Sequence, residues 1–237
     1  MINNIIKSPN ISRWFNIKGY FAICALWISC LSPTYASFQL ETMTVILNEA
    51  EGRTAFTVKN MGTEPLLLAT KVTDLDNKQY SKKILISPPI TRIDAGQSQQ
   101  INFVLKKGEP LAQEVMLKTS FEGVGQSADN SARMPVRQSI AMIIQPAAVA
   151  VDATPWKGLS AHVDGSHLVL KNTSKHVVRL SPQLELLPNN ETVTIENYFL
   201  MAGEEKRIAI KSKPTSLKIT PLSRFGFKQS SVSIPLK

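Results

Sequence analysis

The chain has little of what covalent crosslinking and catalysis use. Its 237 residues include two cysteines, Cys24 and Cys30, and three histidines, His162, His167 and His176. Both cysteines fall in the first 36 residues, which read as a removable leader, so the rest of the chain has no thiol for a disulfide or a soft metal. No histidine stands in a His-Glu-x-x-His pattern, and there is no Gly-x-Ser-x-Gly and no phosphate-cradling glycine loop. The one histidine cluster, His162-Val163-Asp164-Gly165-Ser166-His167, reads as a polar hairpin turn, since a zinc site needs a further ligand that nothing nominates. Catalysis and metal binding therefore have little support, and no cofactor is implied. A helical period over ten or more residues is also missing, which points away from an α-rich fold.

Residues 1–36 have the layout of a secretory leader. Lys7, Arg13 and Lys18 give a positive start, 19–31 an apolar run, and Thr34-Tyr35-Ala36 small residues at the cleavage positions. The run is too short and one-sided for a membrane span. A lipid anchor at Cys30 is the alternative, but Trp27-Ile28-Ser29 lacks the leucine such a site expects. Export to the periplasm without stable membrane insertion is the expectation. Net charge is +9, and the leader holds three bases and no acid, which leaves +6. The excess is concentrated: from Lys206 onward there are eight Lys or Arg and no Asp or Glu. A basic tail can bind nucleic acid, but an exported protein meets little, and few aromatics here could stack bases. It reads as a solvated face, with an acidic protein or membrane headgroups as the functional alternative.

After residue 37 short strands alternate with turn signals. Strands are expected at 38–47, 54–59, 66–72, 83–86, 100–105, 113–121 and 132–145, with turns at Asn60-Met61-Gly62 and Ala95-Gly96. Seven strands in this span fit an immunoglobulin-like sandwich. The second half repeats the style, with strands at 161–163, 167–170, 177–180, 193–200, 207–210, 217–219 and 232–234. The fold class expected is all-β: two immunoglobulin-like sandwiches, 37–147 and 148–237, joined at a hinge.

One strand organises this plan. In Ser131-Ala132-Arg133-Met134-Pro135-Val136-Arg137-Gln138-Ser139 the residues Ala132, Met134 and Val136 share a side, because strand side chains change face at every residue. From Ile140 to Ile144 nearly every residue is apolar, which suits a strand covered on both faces. It stops at Pro146, whose missing N–H cannot continue a ladder. An ordinary core strand with a ragged start is the plain reading of these residues alone.

Two segments add to it. Pro88-Pro89-Ile90-Thr91-Arg92-Ile93-Asp94-Ala95-Gly96 and Gln145-Pro146-Ala147-Ala148, in that order and separation, resemble motifs of the PapD-like periplasmic chaperones of pilus assembly. The resemblance extends over nearly all of the chain after residue 36. It implies a non-enzymatic chaperone that lends the front half of the strand to a pilus subunit lacking its own closing strand, by β-augmentation, and delivers it to an outer-membrane usher. Ala132, Met134 and Val136 fall on the groove-filling positions, and burying a Met or Val contributes about 1.5–3 kcal/mol each. Pro135 removes one donor and is tolerated only facing outward or at a bulge. The family also grips the subunit's terminal carboxylate with two basic residues, which here fall on Thr44 and Ala141. Arg92 and Arg137 are the replacement candidates, since an arginine binds a carboxylate through two parallel hydrogen bonds. For Arg92 the alternative is a salt bridge with Asp94, and for Arg137 a solvated side chain. The family's ion network between domains lacks its parts here, with Gln145 in place of an arginine and no acid after Glu205. The runner-up is a secreted adhesive or structural protein on the same two sandwiches.

Overall fold

Alternating apolar residues line the facing sheets of two sandwiches. The computed structural model describes residues 38–76, 78–125 and 134–236. The expected leader and Ala132 lie outside the described residues.

The first sandwich holds β1 (Phe38–Leu40), β2 (Thr44–Asn48), β3 (Arg53–Asn60), β4 (Leu66–Asp74), β5 (Ile84–Ser87), β6 (Ile90–Ile93), β7 (Ser98–Leu105), β8 (Val115–Gly125) and β9 (Val136–Gln145). One sheet has the order β1-β3-β7-β5 and the other β2-β9-β8-β4-β6. In β4 the residues Leu66, Leu68, Thr70 and Val72 point inward while their neighbours face out. Phe38, Phe103 and Phe121 anchor the core between the sheets. The strand expected at 38–47 is split, because the chain leaves β3 after Leu40 and joins β9 at Thr44, in the other sheet. That change of sheet decides the functional edge.

The second sandwich holds β10 (Leu159–Asp164), β11 (His167–Asn172), β12 (Val178–Leu180), β13 (Gln183–Leu187), β14 (Glu191–Thr194), β15 (Phe199–Leu200), β16 (Glu205–Ala209), β17 (Ser216–Ile219), β18 (Pro221–Leu222) and β19 (Val232–Pro235). Its ladders run β10-β11-β16, β14-β13-β17-β19 and a short β15-β12-β18. Leu168, Leu170, Leu184, Leu186 and Leu217 form the centre of its core. The expected strand over 193–200 is two pieces, β14 and β15. The sequence reading passed over β13, although Leu184 and Leu186 alternate between Pro182 and Pro188.

Both sandwiches share one internal pin. Asn60 is buried; its Nδ2 donates to the carbonyls of Glu64 (2.8 Å) and Ile93 (3.0 Å), and its Oδ1 accepts from Gly62 N–H at 2.9 Å. Asn172 repeats this: Nδ2 donates to the carbonyls of His176 (2.7 Å) and Met201 (3.0 Å), and Oδ1 accepts from Ser174 N–H at 3.0 Å. The turn beside each pin closes on a glycine with positive φ, Gly96 at 70° and Gly203 at 77°, where a Cβ is disfavoured. A short Asx turn at the end of a strand thus ties two loops together in each half.

Candidate functional site

Strand β9 has two different halves. It pairs with β8 along its whole length, from Val136 opposite Gly123 to Ile144 opposite Val115. On its other side β2 meets it only from Ala141 to Gln145, in parallel. Among the described residues the stretch from Val136 to Ile140 therefore has a ladder neighbour on one side. Val136, Gln138, Ile140, Met142 and Ile144 share the inward face; the last three are buried, whereas Val136 is 38% and Met134 88% exposed. Gln138 Nε2 donates to the Phe38 carbonyl at 2.9 Å, which ties β1 beneath this half. Opposite Val136, a Cβ on Gly123 would stand 2.8 Å from the Phe38 ring, so the absent side chain is what lets Phe38 close the core.

The second half of β9 is covered on both faces, as its composition suggested. Its inward residues fill the first core, and Ile143 packs outward with Met116, Val177 and Phe199 in an apolar cluster shared with the second sandwich. Around this cluster runs a polar network the sequence reading missed. Glu114, buried, accepts from Val177 N–H at 2.9 Å and lies 3.3 Å from the Arg224 guanidinium and 3.4 Å from His176 Nδ1. Arg224 also donates to Gln145 Oε1 at 2.7 Å, and Gln145 Nε2 donates to the Val149 carbonyl at 2.6 Å. Glu49 fastens the hinge, accepting from the N–H groups of Leu111 (2.8 Å) and Ala147 (2.9 Å). An ion pair between the sandwiches is thus present although the positions the resemblance points to lack the parts for one: the acid comes from the first sandwich and the arginine from the second. Arg224 belongs to the tail that reads as a solvated face, yet its side chain is only 19% exposed. Glu114 and Arg224 lie 110 positions apart, and no local pattern links them.

The expected carboxylate-holding residues are not brought together. Arg92 lies on β6, at the far edge of its sheet, with β4 and β8 between it and β9. Its Nε donates to Asp94 at 2.9 Å on an exposed surface. Arg137 lies on the outward face of β9 and is bonded to Glu122 on β8 (Nε to Oε2 2.7 Å). Each is already neutralised by an acid, and neither lines the cleft between the sandwiches. Thr44 and Ala141, the positions without a base, stand opposite each other in the β2 and β9 register, and the next residue across, on β8, is Lys118. Facing this row from the second sandwich is Arg179, on β12 between the core residues Val178 and Leu180, with Nη1 donating to Thr44 Oγ1 and to the Arg224 carbonyl, both at 2.9 Å. A lone arginine in a strand of core residues is the one sequence signal that could have drawn attention to it.

The histidine cluster forms the β10–β11 hairpin. Asp164 receives a hydrogen bond from Arg207 at 2.6 Å, which with the charge of that guanidinium holds its carboxyl below the ordinary 3.8. Among the described residues no group of three or more His, Cys, Asp or Glu is placed to hold a metal.

An immunoglobulin-like pair of sandwiches with a half-open strand running into the cleft between them defines a class, and comparison with known proteins identifies it. Residues 37–150 match the family described as the pili and flagellar-assembly chaperone, PapD N-terminal domain. Over 200 residues the chain is 30% identical to a protein of Escherichia coli K12 named as the uncharacterized fimbrial chaperone YhcA, covering 83% of this chain and 89% of that one. The chain belongs to this family of fimbrial chaperones, whose members are chaperones rather than enzymes. Among solved structures, the Salmonella enterica SafB chaperone with the SafA pilin matches with a TM-score of 0.72 at 18% identity, over 86% of this chain and 99% of that one. The E. coli chaperone DraB matches at 0.70 and 21%, over 85% and 97%. The Acinetobacter baumannii CsuC–CsuE chaperone–adhesin complex matches at 0.62 and 18%, over 85% and 100%. At these identities the structural matches speak for the fold. No helix among the described residues is long and apolar enough to cross a membrane.

Proposed function

We propose that this chain works in the periplasm, without catalysis, by lending the first half of β9 to fimbrial subunits that lack a closing strand, and that it hands them to an outer-membrane usher. The observation that carries this is the one-sided pairing of Val136 to Ile140, with Val136 and Met134 exposed on the groove-facing side. An unpaired edge flanked by exposed apolar side chains is an aggregation hazard unless something is meant to cover it. A subunit with an open groove removes the hazard on both molecules at once: its edge gains ladder hydrogen bonds of about 0.5–1.5 kcal/mol each, and Met134 and Val136 leave water. Ala132 is the third groove-filling position in this reading. Domain limits of 37–147 and 148–237, behind a leader at 1–36, complete it.

Co-expression with the fimbrial subunits encoded beside it is the test. Met134→Asp with Val136→Asp introduces two charges into the groove and is expected to abolish co-purification of subunits, while circular dichroism and thermal unfolding of the chaperone stay unchanged. Co-purification at the native level by a folded double variant overturns the strand assignment.

A further inference from the structure

Two thioethers stand out in water. Met134 is 88% and Met43 59% exposed, whereas Met116 (4%) and Met142 (0%) are buried and Met61 and Met201 are half-buried. The chain has no cysteine after residue 36, so no thiol is there to meet an oxidant first. Both exposed methionines border the open stretch of β9. Met134 lies two positions before Val136, where β9 begins, and on the same side of the chain. Met43 precedes Thr44, which stands opposite Ala141 in the parallel register of β2 and β9, so it is level with Ile140 at the other end of the stretch. It lines one cleft together with Ser139, Ile140 and Ala141. A strand laid against Val136 to Ile140 therefore covers one thioether and ends at the other.

Oxidation reverses what such a side chain can do. The thioether is flexible and apolar and fills an irregular apolar groove. The sulfoxide carries a polar oxygen that needs a hydrogen-bond donor. A groove shaped for Met134 and Val136 offers none, and burying an unpartnered polar group weakens binding about tenfold or more. The reaction needs access to the sulfur and no catalytic side chain. With hypochlorous acid, oxygen is transferred to a sulfur lone pair as the O–Cl bond breaks, chloride leaves with the bonding electrons, and the hydroxyl proton passes to water. Sulfur is oxidised by two electrons and chlorine is reduced by two.

We propose that Met134, seconded by Met43, is a reversible oxidation site, at which a hypohalous acid switches subunit capture off and methionine sulfoxide reductases switch it back on. The inference rests on the strand-lending reading above and adds to it a modification site and the class of reagent that acts there. The fold is spared while the edge changes its chemistry: Met142 sits in the first core and Met116 in the cluster shared with the second sandwich, both shielded from water. A captured subunit covers Met134, so the oxidant silences free chaperone and leaves loaded chaperone intact.

Purified chaperone is treated with a small excess of hypochlorous acid, quenched with free methionine and mapped by peptide mass spectrometry. Met134 and Met43 are expected to gain one oxygen first, and Met116 and Met142 last. Capture is then titrated as the amount of a subunit encoded beside the chaperone that stays soluble and co-elutes with it after dilution from denaturant. Oxidation is expected to raise the chaperone concentration needed for half capture about tenfold or more, and treatment with methionine sulfoxide reductases to restore it. The variant Met134→Leu with Met43→Leu has its own level of capture, and that level is expected to be the same before and after oxidant. Full capture by chaperone shown to carry the Met134 sulfoxide overturns the inference and leaves strand lending standing. So does an equal loss in the double leucine variant, or oxidation of Met134 no faster than that of Met116 and Met142. Capture that survives both the oxidant and Met134→Asp with Val136→Asp overturns the two together.

Discussion

Removing the carboxylate of Glu114 tests how the two sandwiches are held together. Glu114 is 4% exposed and reaches two segments of the second sandwich from the first: it accepts from Val177 N–H and faces Arg224 at 3.3 Å. In Glu114→Ala the buried Val177 N–H loses its acceptor, and Arg224 keeps only the neutral Gln145 Oε1 and is otherwise uncompensated. Breaking a buried ion pair from one side costs about 3–5 kcal/mol. Arg224 is 19% exposed and can recover some hydration, so the lower part of that range, about 3 kcal/mol, is expected. With a urea m-value of about 2–3 kcal/mol/M, the unfolding midpoint falls by about 1 M. Glu114→Gln, which keeps an acceptor for Val177, loses about half as much. Trp156 is the one tryptophan after residue 36 and packs against the second core, so its fluorescence, in protein produced from residue 37 onward, reports the second sandwich alone. A shift of the Trp156 transition by a substitution in the first sandwich measures the coupling directly. If Glu114→Ala moves that midpoint by less than about 0.3 M, or if its effect and that of Arg224→Ala are simply additive, the network does not hold the domains.

Further expectations follow from single contacts. Asn60→Ala and Asn172→Ala each remove the amide donor from a buried carbonyl, that of Ile93 or Leu200, and each lowers stability by about 2 kcal/mol in calorimetry, with the loss confined to the sandwich that carries the substitution. Gly123→Ala drives a methyl into Phe38, at 2.8 Å, and Leu66, at 2.9 Å; an overpacking loss of about 1–3 kcal/mol is expected, and Phe38→Leu in the same chain relieves part of it. Asp164 has its pKa lowered by Arg207, so its stabilising contribution is present above the ordinary 3.8 and is lost as pH falls through the depressed folded value. Its carboxyl resonance is expected to titrate below 3.8, to move back toward that value in Arg207→Gln, and to approach it at high salt because the pair is exposed.

Local pattern was enough for much of this molecule. Period-two alternation marked most strands, Asn-x-Gly and Ala-Gly marked the turns, and the all-apolar run from Ile140 to Ile144 announced a strand with both faces covered, because each of these signals depends on neighbours within a few residues. The passage from one sheet to the other at Glu41-Thr42-Met43, which among the described residues leaves the first half of β9 paired on one side only, has no local signature. Nor have the partners of the charged residues. Arg92 and Arg137 are conspicuous in the sequence, but the folded chain sets Asp94 and Glu122 beside them. Arg179, Arg224 and Glu114 are inconspicuous and become central only because the second sandwich is packed against the outward face of β2, β9 and β8. Most strands, and the alternation that sets Met134 and Val136 on one side, follow from side-chain periodicity and backbone hydrogen bonding, which act over a few residues. Which of the described cations meet an acid and which do not depends on the folded arrangement, because a counter-ion is a matter of distance in space and of exclusion of water, neither of which is written along the chain.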